Sequence, residues 1–202
     1  MQPSDTAKIF AFIEAVNSLK YEIRFGDNCK SPFKDSVASH CWRLALLSYL
    51  LAEQLNMKLD VSKVMKFALI HDLPEVLIGD ISFDKIYTGE AVKLGEKEAM
   101  EKLSAMLPSA LCAEFLELWK DYEASNSLEA KFVKIVDKLE AAHQAMFMGV
   151  KSMTVVPPMV THSNKLYGEV PEFDELIRYV REELRAHFAE HGEPWLPEYE
   201  LK

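Results

Sequence analysis

An imidazole and a carboxylate at consecutive positions, His71-Asp72, close an apolar stretch that begins at Phe67. Adjacent helical residues project about 100° apart, so both side chains can reach one centre only near a helix end. Pro74 supplies that end, because it disfavours helical geometry at Leu73 and cannot donate to the preceding turn. A divalent ion would explain the pair, with further ligands drawn from elsewhere in the chain. The competing explanation is a cap, with Asp72 set just before a helix that starts at Pro74.

Asp137 strengthens the metal reading. It lies in Lys134-Ile135-Val136-Asp137-Lys138-Leu139-Glu140, with apolar neighbours at Val136 and Leu139 and the small Ala141 one turn on. That places its carboxylate inward or half inward; the alternative is an exposed charged cluster with Lys134 and Lys138. His40, like His71, falls within an apolar helical stretch, whereas His143, His162, His187 and His191 read as ordinary surface or half-buried side chains. A site of His40, His71, Asp72 and Asp137 offers two neutral nitrogens and two carboxylates. Such a set suits one divalent ion (Mn, Co, Fe, Ni, Zn or Mg), and its lack of thiolates argues against a structural zinc site. Positions remain for water and substrate oxygens, so the ion can acidify water and neutralise charge on a bond being cleaved. Glu75 and Asp80 flank the same region, one to orient or deprotonate water and one to bind substrate hydroxyls. Their structural alternatives are a first-turn helix charge and a turn cap.

These side chains need a helical frame. Seven Gly and no alternating strand pattern argue for an all-α fold. Ser4 and Asp5 can cap a helix to about Lys20 that turns Ile9, Phe12, Ile13 and Val16 to one face. A turn-rich loop covers 25–35, and Ser36 opens an apolar helix to about Leu55. Asp60 caps a third, ending at His71-Asp72; Pro74 begins a short fourth that stops at Gly79. Further helices are expected over about Glu90–Leu107, Ala110–Ala124 and, after Asn126 and Ser127, to about Met148. Residues 151–171, with Pro157-Pro158, read as a long surface connection. A last helix runs from about Pro171 to His187, followed by a polar tail. No repeat or linker divides the chain, so 1–202 reads as one helical domain.

Bulk properties narrow the function classes. With 202 residues and 49% hydrophobic content, the chain can bury one substantial core. A net charge of −9 repels polyphosphate backbones and disfavours nucleic-acid binding. A small anionic substrate remains compatible if metal and Arg groups focus positive potential in one cleft. Cys29, Cys41 and Cys112 are odd in number and unpaired in spacing, as expected of reduced thiols in a cytoplasmic protein. The first residues carry no basic-then-apolar signal pattern, and no apolar run reaches membrane-spanning length.

His40, His71-Asp72 and Asp137 together resemble the H…HD…D signature of the HD-domain metal-dependent phosphohydrolases. The segment from His71 to Asp80 is similar to the 5′-deoxynucleotidase branch, which pairs HD with a Glu three residues on and a Gly-Asp shortly after. Ser36-Val-Ala-Ser-His40-Cys-Trp-Arg43, Leu118-Trp-Lys-Asp-Tyr-Glu123 and Glu129 to Lys138 extend the likeness over about 19–140. The resemblance implies a single HD-domain helical bundle with its core at about 19–150, and a family-variable loop and C-terminal helix over 151–202. It implies one divalent ion on His40, His71, Asp72 and Asp137, and hydrolysis of deoxyribonucleoside 5′-monophosphates. By position, Glu75 assists the water, Arg24 orients the phosphate and supports catalysis, and Asp80, Ile81, Ser82 and Phe83 lie against the sugar. Phe25, Asp72 and Asp137 complete the implied substrate contacts, and a homodimer is the implied assembly. Two departures stand out: Ser39 where the family often has an acidic residue, and Phe25-Gly26-Asp27 where Trp often follows the Arg. An HD-type phosphodiesterase or pyrophosphohydrolase acting on another small nucleotide is the alternative enzyme. A metal-bearing nucleotide sensor without turnover is the non-enzymatic one.

Overall fold

Oxygen-bearing side chains start four of the helices. Ser4, Ser36, Asp60 and Ser127 each sit in extended geometry and accept a backbone N–H three residues on, from Ala7, Ser39, Lys63 and Ala130. Each bond satisfies one of the amides a helix leaves unpaired at its start. The computed structural model describes residues 4–24, 32, 34–55, 57–80, 90–148, 167–168 and 170–201, with side chains from 95 onward in the helix that begins at 90.

The α-helices are α1 (Asp5–Val16), α2 (Val37–Gln54), α3 (Val61–Ile70), α4 (Glu75–Ile78), α5 (Glu90–Ser104), α6 (Ser109–Ala124), α7 (Leu128–Phe147) and α8 (Asp174–Glu190). Short 3-10 turns cover Asn17–Lys20, Pro171–Phe173 and Pro197–Tyr199. Among the described residues the sole β feature is an isolated antiparallel bridge between Ile23 and Ser36. The all-α expectation holds.

α2, α3 and α7 pack on one another, and α8 covers α7. Their shared core holds Leu44, Val64, Phe67, Phe132, Ile135, Val136, Phe173, Ile177 and Phe188. Burying each of these large side chains contributes roughly 1.5–3 kcal/mol. A second cluster joins Phe12, Leu19, Val37, Cys41, Ile70, Leu73, Met100, Leu103 and Trp119. Phe67 and Ala68 belong to the first cluster and Ile70 and Leu73 to the second. The His71-Asp72 turn is therefore fixed at the seam, held from both sides.

Three expectations need correction. The α1 face named from periodicity is not a buried stripe: Phe12 is buried, but Ile9 is 38% and Ile13 54% exposed, beside Phe10 at 65%. The C-terminal residues are not a solvated polar tail either. Phe188, Trp195 and Tyr199 meet edge to face at 5.4–6.0 Å, and Tyr199 is buried. α8 also runs to Glu190 rather than about His187, stopping where Gly192 takes φ 68°. The expectations for Phe25, Cys29, Ile81, Ser82, Phe83, His162 and the Pro157-Pro158 connection lie outside the described residues.

Candidate functional site

His40 comes from the first turn of α2, His71 caps α3, and Asp72 follows in the turn before α4. Asp137 lies midway along α7. His40, His71 and Asp137 are buried and Asp72 is half-buried. The structure brings all four together. His40 Nε2 lies 3.1 Å from Asp137 Oδ1 and 3.6 Å from Asp72 Oδ2; His71 Nε2 lies 3.1 Å from Asp72 Oδ2 and 3.9 Å from Asp137 Oδ1. One ligand atom each from His40, His71 and Asp72 falls within 4.8 Å of the others.

The ring nitrogens test whether this cluster suits a metal. His40 Nδ1 is 2.5 Å from Glu140 Oε2, and His71 Nδ1 donates to the Ala68 carbonyl at 3.2 Å. Both bonds place the proton on Nδ1 and turn the Nε2 lone pair toward the carboxylates. Both Nε2 atoms are buried and make no well-directed hydrogen bond. Each Nε2 lies 3.1 Å from a carboxylate oxygen, Asp137 Oδ1 for His40 and Asp72 Oδ2 for His71, so the space between them favours a shared positive charge, a proton or a cation. The donor set fits a divalent cation. The capping alternative for Asp72 fails, because its Oδ2 faces the imidazoles. For Asp137 both readings meet: the residue is buried, and Lys138 Nζ still donates to its Oδ2 at 2.9 Å.

Electrostatics are strained in the expected sense. Burial pulls the Asp72 and Asp137 carboxyls upward, yet His71 beside Asp72, and Lys138 and His40 beside Asp137, hold both well below the usual carboxylate range. For His40, burial and Arg24 oppose protonation, and the Asp137 and Glu140 carboxylates outweigh them. Glu75 behaves oppositely. Burial, then Asp72 and Asp80, push its carboxyl up to about 10, and its Oε2 is buried without a hydrogen bond. Asp80 is likewise raised, by burial and by Asp72 and Glu22 against the pull of Arg24.

Arg24 reaches the site from the other side. Its backbone N–H donates to the Asp35 carbonyl at 2.9 Å, next to the Ile23–Ser36 bridge, which ties it to the start of α2. Burial disfavours its charge, but Asp72, Asp137 and Asp80 hold the guanidinium firmly protonated. Asp80 is carried in by Gly79, whose φ of 75° is left-handed. A Cβ there would meet Glu22 Oε1 at 3.2 Å, the same atom that accepts the Asp80 N–H at 3.0 Å.

Sequence reasoning assigned no role to the groups behind these. Glu140 Oε1 accepts from Arg43 Nε at 2.5 Å, and Arg43 makes a two-pronged pair with Asp35 at 2.8 Å per prong. The signal was there in spacing: Glu140 is three residues after Asp137 and Arg43 three after His40, one helical turn along the same faces. Ser39, the noted departure, is exposed and bonds Ser36 Oγ at 3.0 Å. Support for His40 comes from Glu140, so Ser39 costs that imidazole nothing.

The description of the HD domain matches residues 16–190, and the chain belongs to the HD-domain family. Among curated relatives, the 5'-deoxynucleotidase HDDC2 of Xenopus laevis is 34% identical over 188 residues, 91% of each chain. The 5'-deoxynucleotidase HDDC2 of Homo sapiens is 34% identical over 140 residues, 68% of this chain and 66% of the human protein. In fold, the chain is similar to a "predicted metal-dependent phosphohydrolase" of Magnetospirillum magnetotacticum MS-1, with a TM-score of 0.75 at 23% identity, covering 96% of this chain and 100% of that one.

Proposed function

We infer that this chain is a metal-dependent phosphohydrolase, a 5'-deoxynucleotidase that converts deoxyribonucleoside 5'-monophosphates to deoxyribonucleoside and phosphate. The observation that carries the reading is the convergence of two imidazole lone pairs and two carboxylates beside a buried guanidinium and an isolated carboxyl. The HDDC2 relatives, 34% identical and spanning up to 91% of the chain, supply the substrate class.

His40, His71, Asp72 and Asp137 would hold one divalent ion, which supplies Lewis acidity toward a phosphoryl oxygen and acidifies water. Arg24 binds the phosphoryl oxygens, its planar donors stabilising the charge that builds on them. Glu75 receives the proton of the attacking water. Its proton affinity in the bare cluster, raised by burial, Asp72 and Asp80, falls once positive charge is present, which frees the carboxylate for that task. The water oxygen bonds to phosphorus, the ester P–O bond breaks, and the departing 5′-oxygen takes the proton that Glu75 received. Asp80 binds the sugar hydroxyl, and Phe25, Ile81, Ser82 and Phe83 complete the nucleoside contacts.

The whole chain 1–202 acts as one HD domain in this reading, located in the cytoplasm, with no affinity for nucleic-acid backbones. We also propose a homodimer. An apolar groove of about 520 Å³ between α1, α2 and α3, lined by Ile13, Trp42, Leu46 and Leu69, supports it. Those four side chains are 44–65% exposed.

Phosphate release from a panel of nucleoside mono-, di- and triphosphates and cyclic diesters, by protein stripped of metal and reloaded with Mn, Co or Mg, tests the activity. Turnover of deoxynucleoside monophosphates only with added metal is expected. Turnover confined to diesters or polyphosphates, or binding without phosphate release, would overturn the reading.

A further inference from the structure

The last turn of α8, a helix that packs on α7, carries a second set of metal-ligating side chains. His187, Glu190 and His191 stand at i, i+3 and i+4, which puts all three on one helical face. One ligand atom from each lies within 4.8 Å of the others. The two ring centroids are 4.2 Å apart, close enough that two protonated imidazoles would repel strongly.

The tautomer of His191 is set by its neighbour. Its Nδ1 lies 2.8 Å from the His187 carbonyl oxygen, which can only accept, so the proton is on Nδ1 and the Nε2 lone pair is free to bind an ion. This is the device seen at His71 with Ala68. Past the helix end, Gly192 turns the chain at φ 68° and Glu193 N–H bonds back to the Phe188 carbonyl at 2.9 Å. That bond folds Glu193 over the last turn, where its charge acts on His187 and its Oε2 is buried without a hydrogen bond. The carbonyl end of a helix adds negative potential at the same place.

We propose that His187, Glu190 and His191 form a second divalent-cation site, separate from the His40 cluster and suited to zinc. Two imidazoles and a carboxylate are a zinc-type ligand set, with Glu193 placed to complete the surroundings.

The test uses the full-length chain stripped of metal, titrated calorimetrically with Zn²⁺ beside the His187→Gln/His191→Gln variant. The wild-type chain should take up one equivalent more than the double variant, and Glu190→Gln should weaken that equivalent by about tenfold. Hydrolysis with saturating Mn²⁺ should be the same in both proteins. Independently of the double variant, the Cε1–H resonances of His187 and His191 in the wild-type protein, identified through the single Gln variants, should shift as zinc is added. Equal zinc stoichiometry in the two proteins, or zinc uptake that leaves both resonances unmoved, overturns the proposal.

Discussion

Glu140 is the residue on which the geometry of the cluster turns. One carboxylate oxygen holds His40 Nδ1 and the other holds Arg43, which clamps Asp35, whose carbonyl anchors Arg24. A single side chain thus couples His40 to the segment that presents Arg24. Glu140→Gln keeps the shape but loses the charge that fixes the imidazole tautomer, so affinity for Mn²⁺ should fall about 10–100-fold. Hydrolysis measured against Mn²⁺ concentration should show that shift with much of kcat restored at saturation; an unchanged midpoint would detach Glu140 from the site. Glu75 makes a different prediction. Its carboxyl is raised from an ordinary 4.5 to about 10 by burial, Asp72 and Asp80, so the metal-free folded state holds a proton the unfolded chain has released. The contribution is complete below about pH 4.5 and is lost as pH rises toward about 10. Urea unfolding of metal-free protein should therefore show stability falling with pH across that window, and Glu75→Gln should flatten the slope. The same substitution should abolish turnover while metal still binds.

At the scale of elements, what periodicity and caps govern was legible, and what depends on tertiary contacts was not. Helix starts after Ser36, Asp60 and Ser127 could be read because capping is local chemistry, as could the break at Pro74 and the stop at Gly79. The metal set was legible because His71-Asp72 and Asp137 interrupt apolar surroundings that tolerate charge poorly. Glu140 and Asp35 carried no signal of their own, since only the folded chain brings 35, 43 and 140 into contact. α1 misled for the opposite reason: its apolar residues are regularly spaced, but only Phe12 is buried, against Phe115 at 5.7 Å, with Val16 half-buried beside the same cluster. One helix end carries a local cost visible only in the backbone. α6 ends at Ser125 with φ 51° and ψ 39°, the left-handed region where a Cβ costs about 1–2 kcal/mol. Ser125→Gly should stabilise the protein by roughly 0.5–1 kcal/mol and raise Tm by about 1–4 °C in a thermal melt. No gain would mean the Ser125 side chain returns that energy through a contact of its own.

Across the whole molecule, negative charge is concentrated around the His40 cluster. The chain carries −9 overall, and the cleft gathers Asp72, Asp80, Asp137, Glu75 and Glu140 around Arg24. A phosphate monoester would meet net repulsion there without a cation. Metal binding and folding are linked by the same arrangement, because only the folded chain assembles ligands from α2, the α3–α4 turn and α7. An ion present at 100 times its dissociation constant then adds about 2.7 kcal/mol to stability. For a chain of this size that corresponds to a rise in Tm of roughly 5–10 °C. Thermal melts in a chelator and in saturating Mn²⁺ measure it directly. Asp137→Asn should cut the increment by weakening the ion, and should lower the chelated Tm, since it removes the charge that pairs with His40 and Lys138 in the folded state. A metal-dependent rise of equal size in wild type and Asp137→Asn would place the stabilising ion elsewhere, and with it the electrostatic reason that this acidic cleft admits an anionic substrate.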